Sequence, residues 1–229
     1  MPDEITESAK AVQETAKTVR SGIEATQQLG SFVSRVTTEP LETVMGILND
    51  RLQFTRWERQ LRLAERGREI LDQRGIKALR PLPYKLALPI LEHASLEEND
   101  ELQDLWANLL ASAVDPSFDG HIRSAYIDII KQMEVIDVHM LRAIYEQYQQ
   151  ERELALQGKT AGDNYYSPRA VVVGKKQLME LLQITSRVYE TSVDNLVRVR
   201  CVGTYFSHNS EIFITSLGVS FVEACTTRS

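Results

Sequence analysis

The stretch from Leu82 to Pro116, LPYKLALPILEHASLEENDELQDLWANLLASAVDP, decides the fold. Leu102, Leu105, Trp106, Leu109, Leu110 and Ala113 recur every three or four residues, the spacing that gathers side chains on one face of an α-helix. Ser95 with Glu98 reads as a capping box, and Glu97, Asp100 and Glu101 place negative charge where the helix dipole favours it. Asp115-Pro116 ends the run, because the residue before a proline avoids the helical region. Upstream, Leu86, Ala87, Leu88, Ile90 and Leu91 surround Pro89 and predict a short helix with the proline near its start or at a kink. Trp106 is the natural centre of the longer stripe. Its burial is worth on the order of several kcal/mol by area, before the entropy of ordering is subtracted.

The same stretch carries a family likeness. Its LALPILE segment (86–92), acidic step and ELQDLWANLLASAVDP run (101–116) resemble the signature of the bacterial abortive infection alpha family. The likeness extends to AKAVQETAK and LGSFVSRV before it, and to SVDNLVRVRCV and ITSLGVSFVEAC after it. It implies a role in bacterial anti-phage defence and names no reaction.

Working outward toward the N-terminus, residues 3–36 read as a helix with a narrow seam. Ile5, Ala9, Val12, Ala16, Val19 and Ile23 step by four and three in turn, the coiled-coil spacing. Alanine in the seam buries little area, so this helix needs a partner. Gly22 and Gly30 mark a candidate bend. Thr38 and Glu39 before Pro40 start a second helix that runs to about Gln73, with Gly75 as its stop. Its apolar stripe is Leu41, Met45, Leu48 and Leu52, then Phe54, Trp57, Leu61, Ala64 and Leu71. At about 1.5 Å per residue it would be roughly 50 Å long, the dimension of a projecting arm or an antiparallel hairpin.

Toward the C-terminus, Asp119-Gly120 turns the chain, and Ile122, Ala125, Tyr126, Ile129, Ile130 and Met133 repeat the helical pattern. With 84–94 and 98–114 this gives three short helices around Trp106. Asp137 caps a further helix carrying Val138, Leu141, Ile144, Tyr145 and Tyr148, and the polar stretch from Gln149 to Arg169 reads as a loop. A short helix (Leu178, Leu181, Leu182), a turn at 184–186 and a helix with Val188, Val193, Leu196 and Val197 follow. Then come a hairpin, 201–206 with 211–215, and a last helix with Leu217, Phe221, Val222 and Cys225. Three helices and a hairpin in that order suit a winged helix. Arg200 stands near the end of the third helix, where a glycine would be easier. The predicted fold is therefore mainly α: a long helical arm (1–80), a small central helical bundle (81–135) and a winged-helix-like module with a β-hairpin (136–229).

Charge is segregated along the 229 residues, whose net charge is −6. Residues 51–85 hold ten basic and four acidic side chains, a local +6, while residues 92–137 hold eleven acidic and two basic, a local −9. Adjacent blocks of opposite sign invite pairing within or between chains, over a range that salt limits to about 8 Å. Arg59, Arg62 and Arg66 on the basic helix, and Arg187, Tyr189 and Asn195 on the candidate reading helix, are the candidate contacts to nucleic acid or to a protein partner. Interleaved Glu58, Glu65, Glu69 and Asp72 argue for a solvated or intersubunit face on the first. On the second, Glu190 and Asp194 would repel phosphates, and residues 137–229 balance ten basic against ten acidic side chains.

Catalytic chemistry is not signalled. The four histidines are scattered, Cys201 and Cys225 lack metal-ligand spacing and read as buried thiols, and no phosphate-cradling loop or nucleophile elbow appears. The acidic cluster from Glu97 to Asp104 is explained by helix capping and dipole. No catalytic, cofactor or metal residues are assigned. With no secretory signal and no spanning segment, a cytoplasmic location is expected. The expected protein is a non-enzymatic, self-associating or partner-binding defence protein. Its alternatives are a winged-helix regulator that binds DNA, and an effector that meets a membrane surface through its first two helices.

Overall fold

A computed structural model describes residues 53–157, 166–205 and 211–226, with side chains from Glu58 onward. The candidate seam of residues 3–36 and the first part of the long second helix lie outside the described residues. What is described is mainly helical, with one three-stranded antiparallel sheet. The chain forms two compact units. One ends at Glu97 and takes in Val114–Ser117; the other comprises Glu98–Ala113 and the residues from Phe118 on.

In the first unit, α1 (Gln53–Gln73) packs against α2 (Tyr84–Ala94). The buried stripe of α1 is Gln60, Leu63, Ala64 and Leu71, so Leu63 takes the inward place expected for Leu61, which is half-buried. Ala87, Ile90, Leu91 and Ala94 form the buried face of α2. Pro89 sits inside that helix rather than at its start, where it removes the N–H that would bond the Lys85 carbonyl. The end of α1 follows the glycine rule: Gly75 has φ +70°, its N–H donates to Asp72 at 3.0 Å, and Ile76 N–H donates to Leu71 at 2.9 Å.

Next comes α3 (Asp100–Val114), the predicted central helix. Trp106 is 1% exposed, and Leu102, Leu105, Leu109, Leu110 and Ala113 are buried with it. Burial reaches further than one face: Gln103, Ala107, Asn108, Ala111 and Ser112 are buried as well, leaving only the acidic first turn and Asp104 in water. Buried polar side chains on such a helix are mostly bonded: Asn108 Nδ2 donates to the Asp104 carbonyl at 2.9 Å, whereas Gln103 Oε1 accepts no hydrogen bond among the described residues. The cap is Asn99, whose Oδ1 accepts from the N–H groups of Glu101 (2.9 Å) and Leu102 (3.2 Å). The Ser95–Glu98 capping box does not form. Ser95 instead closes α2, its Oγ donating to the Glu92 carbonyl at 2.6 Å.

In the second unit, α4 (Ser124–Ile130) buries Tyr126, Ile127, Ile129 and Ile130. It is followed by α5 (Val135–Leu156), a short 3₁₀ turn at Pro168–Ala170, β1 (Val173–Gly174), α6 (Lys175–Leu182) and α7 (Ser186–Arg198). Then β2 (Val202–Thr204), β3 (Glu211–Ile214) and α8 (Ser216–Cys225) complete it. The sheet order is β1-β3-β2, with Val173 opposite Ile212 and Val202 opposite Ile214. Two residues make β1 too short to be legible by alternation. The expected loop from Gln149 is also corrected, because Gln, Glu, Arg, Leu and Ala are all good helix formers and carry α5 to Leu156.

Close packing fixes the C-terminal end. Tyr126 meets Phe221 edge-on, with centroids 5.8 Å apart. At Gly218, a Cβ would collide with the Cys201 carbonyl, so α8 approaches the backbone just before β2 only because that side chain is missing. Arg200 has φ +62°, the left-handed conformation that a glycine would adopt more easily. Cys201 and Cys225 are free and buried; burial pushes the Cys201 thiol up to about 12 and the Cys225 thiol well above its ordinary value. With the indole closed off from water, Trp106→Ala should cost about 3–5 kcal/mol in chemical denaturation. A loss below about 1 kcal/mol would mean that the indole is not central.

Candidate interaction surface

The outward face of α7 depends on a buried acid at the start of α5. Glu134 is the N-cap of α5 and Asp137 its third residue; each side chain accepts from the other's backbone N–H, the Glu134 N–H reaching Asp137 Oδ2 at 3.0 Å. Asp137 thus caps this helix from inside its first turn. Its carboxylate also crosses to α7, accepting from Ser192 Oγ at 2.5 Å and from Asn195 Nδ2 at 2.6 Å. Asn195 Nδ2 donates in addition to the Gln132 carbonyl at 2.8 Å, and Arg198 donates to both Gln132 and Asn195. Asp137 and Ser192 are buried, so these charge-assisted bonds are shielded from competing water.

That network settles the rotation of α7. Tyr189, Ser192, Val193 and Leu196 face inward; Arg187, Glu190, Thr191, Asp194 and Arg198 face water. Tyr189, expected as a groove-facing contact, is 1% exposed, because the bonds of Ser192 and Asn195 to Asp137 turn its side of the helix inward. Burial raises its phenol pKa, and Lys175 Nζ lies 5.5 Å from its ring centroid. Asn195 is half-buried and bonded within the module. Of the three candidates on this helix, only Arg187 is exposed. Lys175 also pairs with Glu190 at 2.7 Å, and this ammonium, with Ser186 assisting, holds the Glu190 carboxyl below its ordinary range.

Beside α7 runs an open groove of about 460 Å³, lined by Ile136, Arg187, Val188 and Thr191 with Asp137 and Ser192 behind them. Val188 is 39% exposed and Val197 37%, so apolar surface reaches water on this helix. Sequence periodicity could not separate these two valines from the core set.

The basic helix looks different once folded. Arg59 is half-buried and donates to the Leu96 carbonyl at 3.3 Å, and Arg62 pairs with Glu58 at 3.7 Å. Arg66 is half-buried too, and Arg74 lies against buried Asp115 at 3.8 Å. From Glu58 on, where side chains are described, the exposed charges of α1 are Glu58, Arg62, Glu65, Arg68, Glu69 and Asp72, a mixed face rather than a basic stripe. Among the described residues, no group of three metal-ligating side chains converges, and no helix is long and apolar enough to cross a membrane.

Residues 58–225 match the family model described as abortive infection alpha. The chain belongs to that family. At the family level, this places it in abortive infection, the bacterial defence against phage. No curated protein and no solved structure matches it.

Removing the Asp137 carboxylate leaves three donors facing an empty place. Asp137→Ala should destabilise the chain by about 2–4 kcal/mol, and Asp137→Asn by less, since the amide oxygen still accepts. Urea denaturation of both variants checks this. Equal, negligible losses would mean that the network does not hold α7.

Proposed function

We propose that this abortive infection alpha protein acts without catalysis, by self-association or by holding a protein partner, and that residues 136–229 form a winged helix used for docking. The observation that carries this reading is the charge on the two exposed helix faces. Among the described side chains, neither α1 nor α7 presents the run of unopposed cations that phosphate binding requires. Each mixes signs at close spacing, and α7 adds exposed valine, the make-up of a surface that meets protein. The segregated blocks of opposite charge in the sequence suit contacts between copies.

A second reading, a regulator that binds DNA, draws on a specific observation. The order α5, β1, α6, α7, β2, β3 with sheet order β1-β3-β2 supports a winged-helix reading, in which the third helix can enter a major groove. Arg187 would then be the leading contact.

Light scattering of the full chain across concentration and salt, beside plaque counts on bacteria producing it, tests the first reading. A mass that rises with concentration and falls with salt is expected, together with protection that is lost in variants that stay monomeric. A monomer under all conditions would contradict self-association. Retarded migration of duplex DNA at low salt, lost in Arg187→Glu, would favour the regulator instead.

A further inference from the structure

All four charges on α7 face water, and they divide into two kinds. Glu190 is bonded to Lys175 and Ser186, and Arg198 to Gln132 and Asn195. Arg187 and Asp194 have no side-chain partner among the described residues, and both are exposed. They are opposite in sign and seven residues apart, two helical turns, so they share one flank of the helix about 10 Å apart along its axis. That is too far to pair with each other. Thr191 lies between them, its hydroxyl donating to the Arg187 carbonyl at 3.0 Å, which leaves its methyl group for the surface. Val188 and Ile136 supply the apolar ground beside it, along the groove of about 460 Å³.

We infer that α7 is a self-recognition helix, pairing antiparallel with α7 of a second copy about a two-fold axis close to Thr191. Antiparallel helices bring like flanks together. A second α7 running the other way therefore sets Arg187 against the second copy's Asp194, and Asp194 against its Arg187. The two ion pairs form at once because a two-fold contact uses the same patch twice. Between them, Thr191 and Val188 lose water. A parallel pair would leave both charges unmatched. A nucleic acid would satisfy Arg187 but set Asp194 against phosphate. The contact is small and its charges lie at the rim, so it is salt-sensitive.

The inference rests on the self-association reading and narrows it to one face. Sedimentation equilibrium of the full chain tests it, with wild type, Arg187→Asp, Asp194→Arg and the double exchange. Either single reversal is expected to weaken dimerisation about tenfold or more, and the double exchange to restore it to within about threefold. Both positions are exposed, so thermal melts of the variants should match the wild type and separate lost contact from lost fold. Thr191→Cys should cross-link two chains on mild oxidation, since Cys201 and Cys225 are buried. An assembling wild type whose reversals have no effect, or whose double exchange stays dissociated, overturns this interface and leaves self-association standing. A monomeric wild type overturns both. Reversals that abolish retention of duplex DNA while mass stays constant would make α7 a nucleic-acid face and end the proposal.

Discussion

Asp137 is 3% exposed in the first turn of α5, and its carboxylate accepts from one backbone N–H, one hydroxyl and one amide. Burying a charge is costly unless donors replace the water it loses. Here three neutral donors from two separate stretches do so, and no cation pairs with it among the described residues. The physical consequence is directional. Because Ser192 and Asn195 must both reach one carboxylate, α7 can sit on α5 in a single rotation, and every statement about its outer face follows. Helix propensity alone would leave that rotation open.

The arginines of α1 show likewise why a basic stretch of sequence need not be a basic surface. Arg59 spends its guanidinium on a backbone carbonyl, and Arg74 lies beside a buried acid whose Oδ1 also accepts from Ser117 N–H at 2.8 Å. Arginine suits such places because its planar fork offers five donors and loses less on desolvation than an ammonium. What remains outside on α1 is acid and base in alternation. Charge counted along the chain describes composition, whereas charge available to a partner is what folding leaves over.

Much of the architecture was legible in the sequence because it rests on periodicity and stop signals. The stripe around Trp106, the stop at Gly75 and the hairpin all follow from local rules. Other features depend on contacts far apart in the chain. Asn99 displaced Ser95 as a cap because Ser95 was already closing α2. The strand β1 exists only because β3 lies beside it. Tyr189 and Val188 are neighbours of similar apolar character, and which one turns inward is decided by Asp137, about fifty residues earlier. The outward face of α7 was therefore the part that sequence could not supply, and the pairing of Arg187 with Asp194 could be posed only once Glu190 and Arg198 were seen to be occupied.

Everything on this face requires α7 to be locked with its Tyr189 side inward and its Thr191 side outward. Hydroxyl-radical footprinting of the unmodified chain, read by mass spectrometry, measures this directly, because two tyrosines of one module serve as internal controls for each other. Tyr189, 1% exposed, should be protected to the same degree as Trp106, while Tyr205, 39% exposed, should be oxidised readily. Oxidation of Tyr189 at the rate of Tyr205 would show that the helix is not held as described, and the surface argued from it would fall.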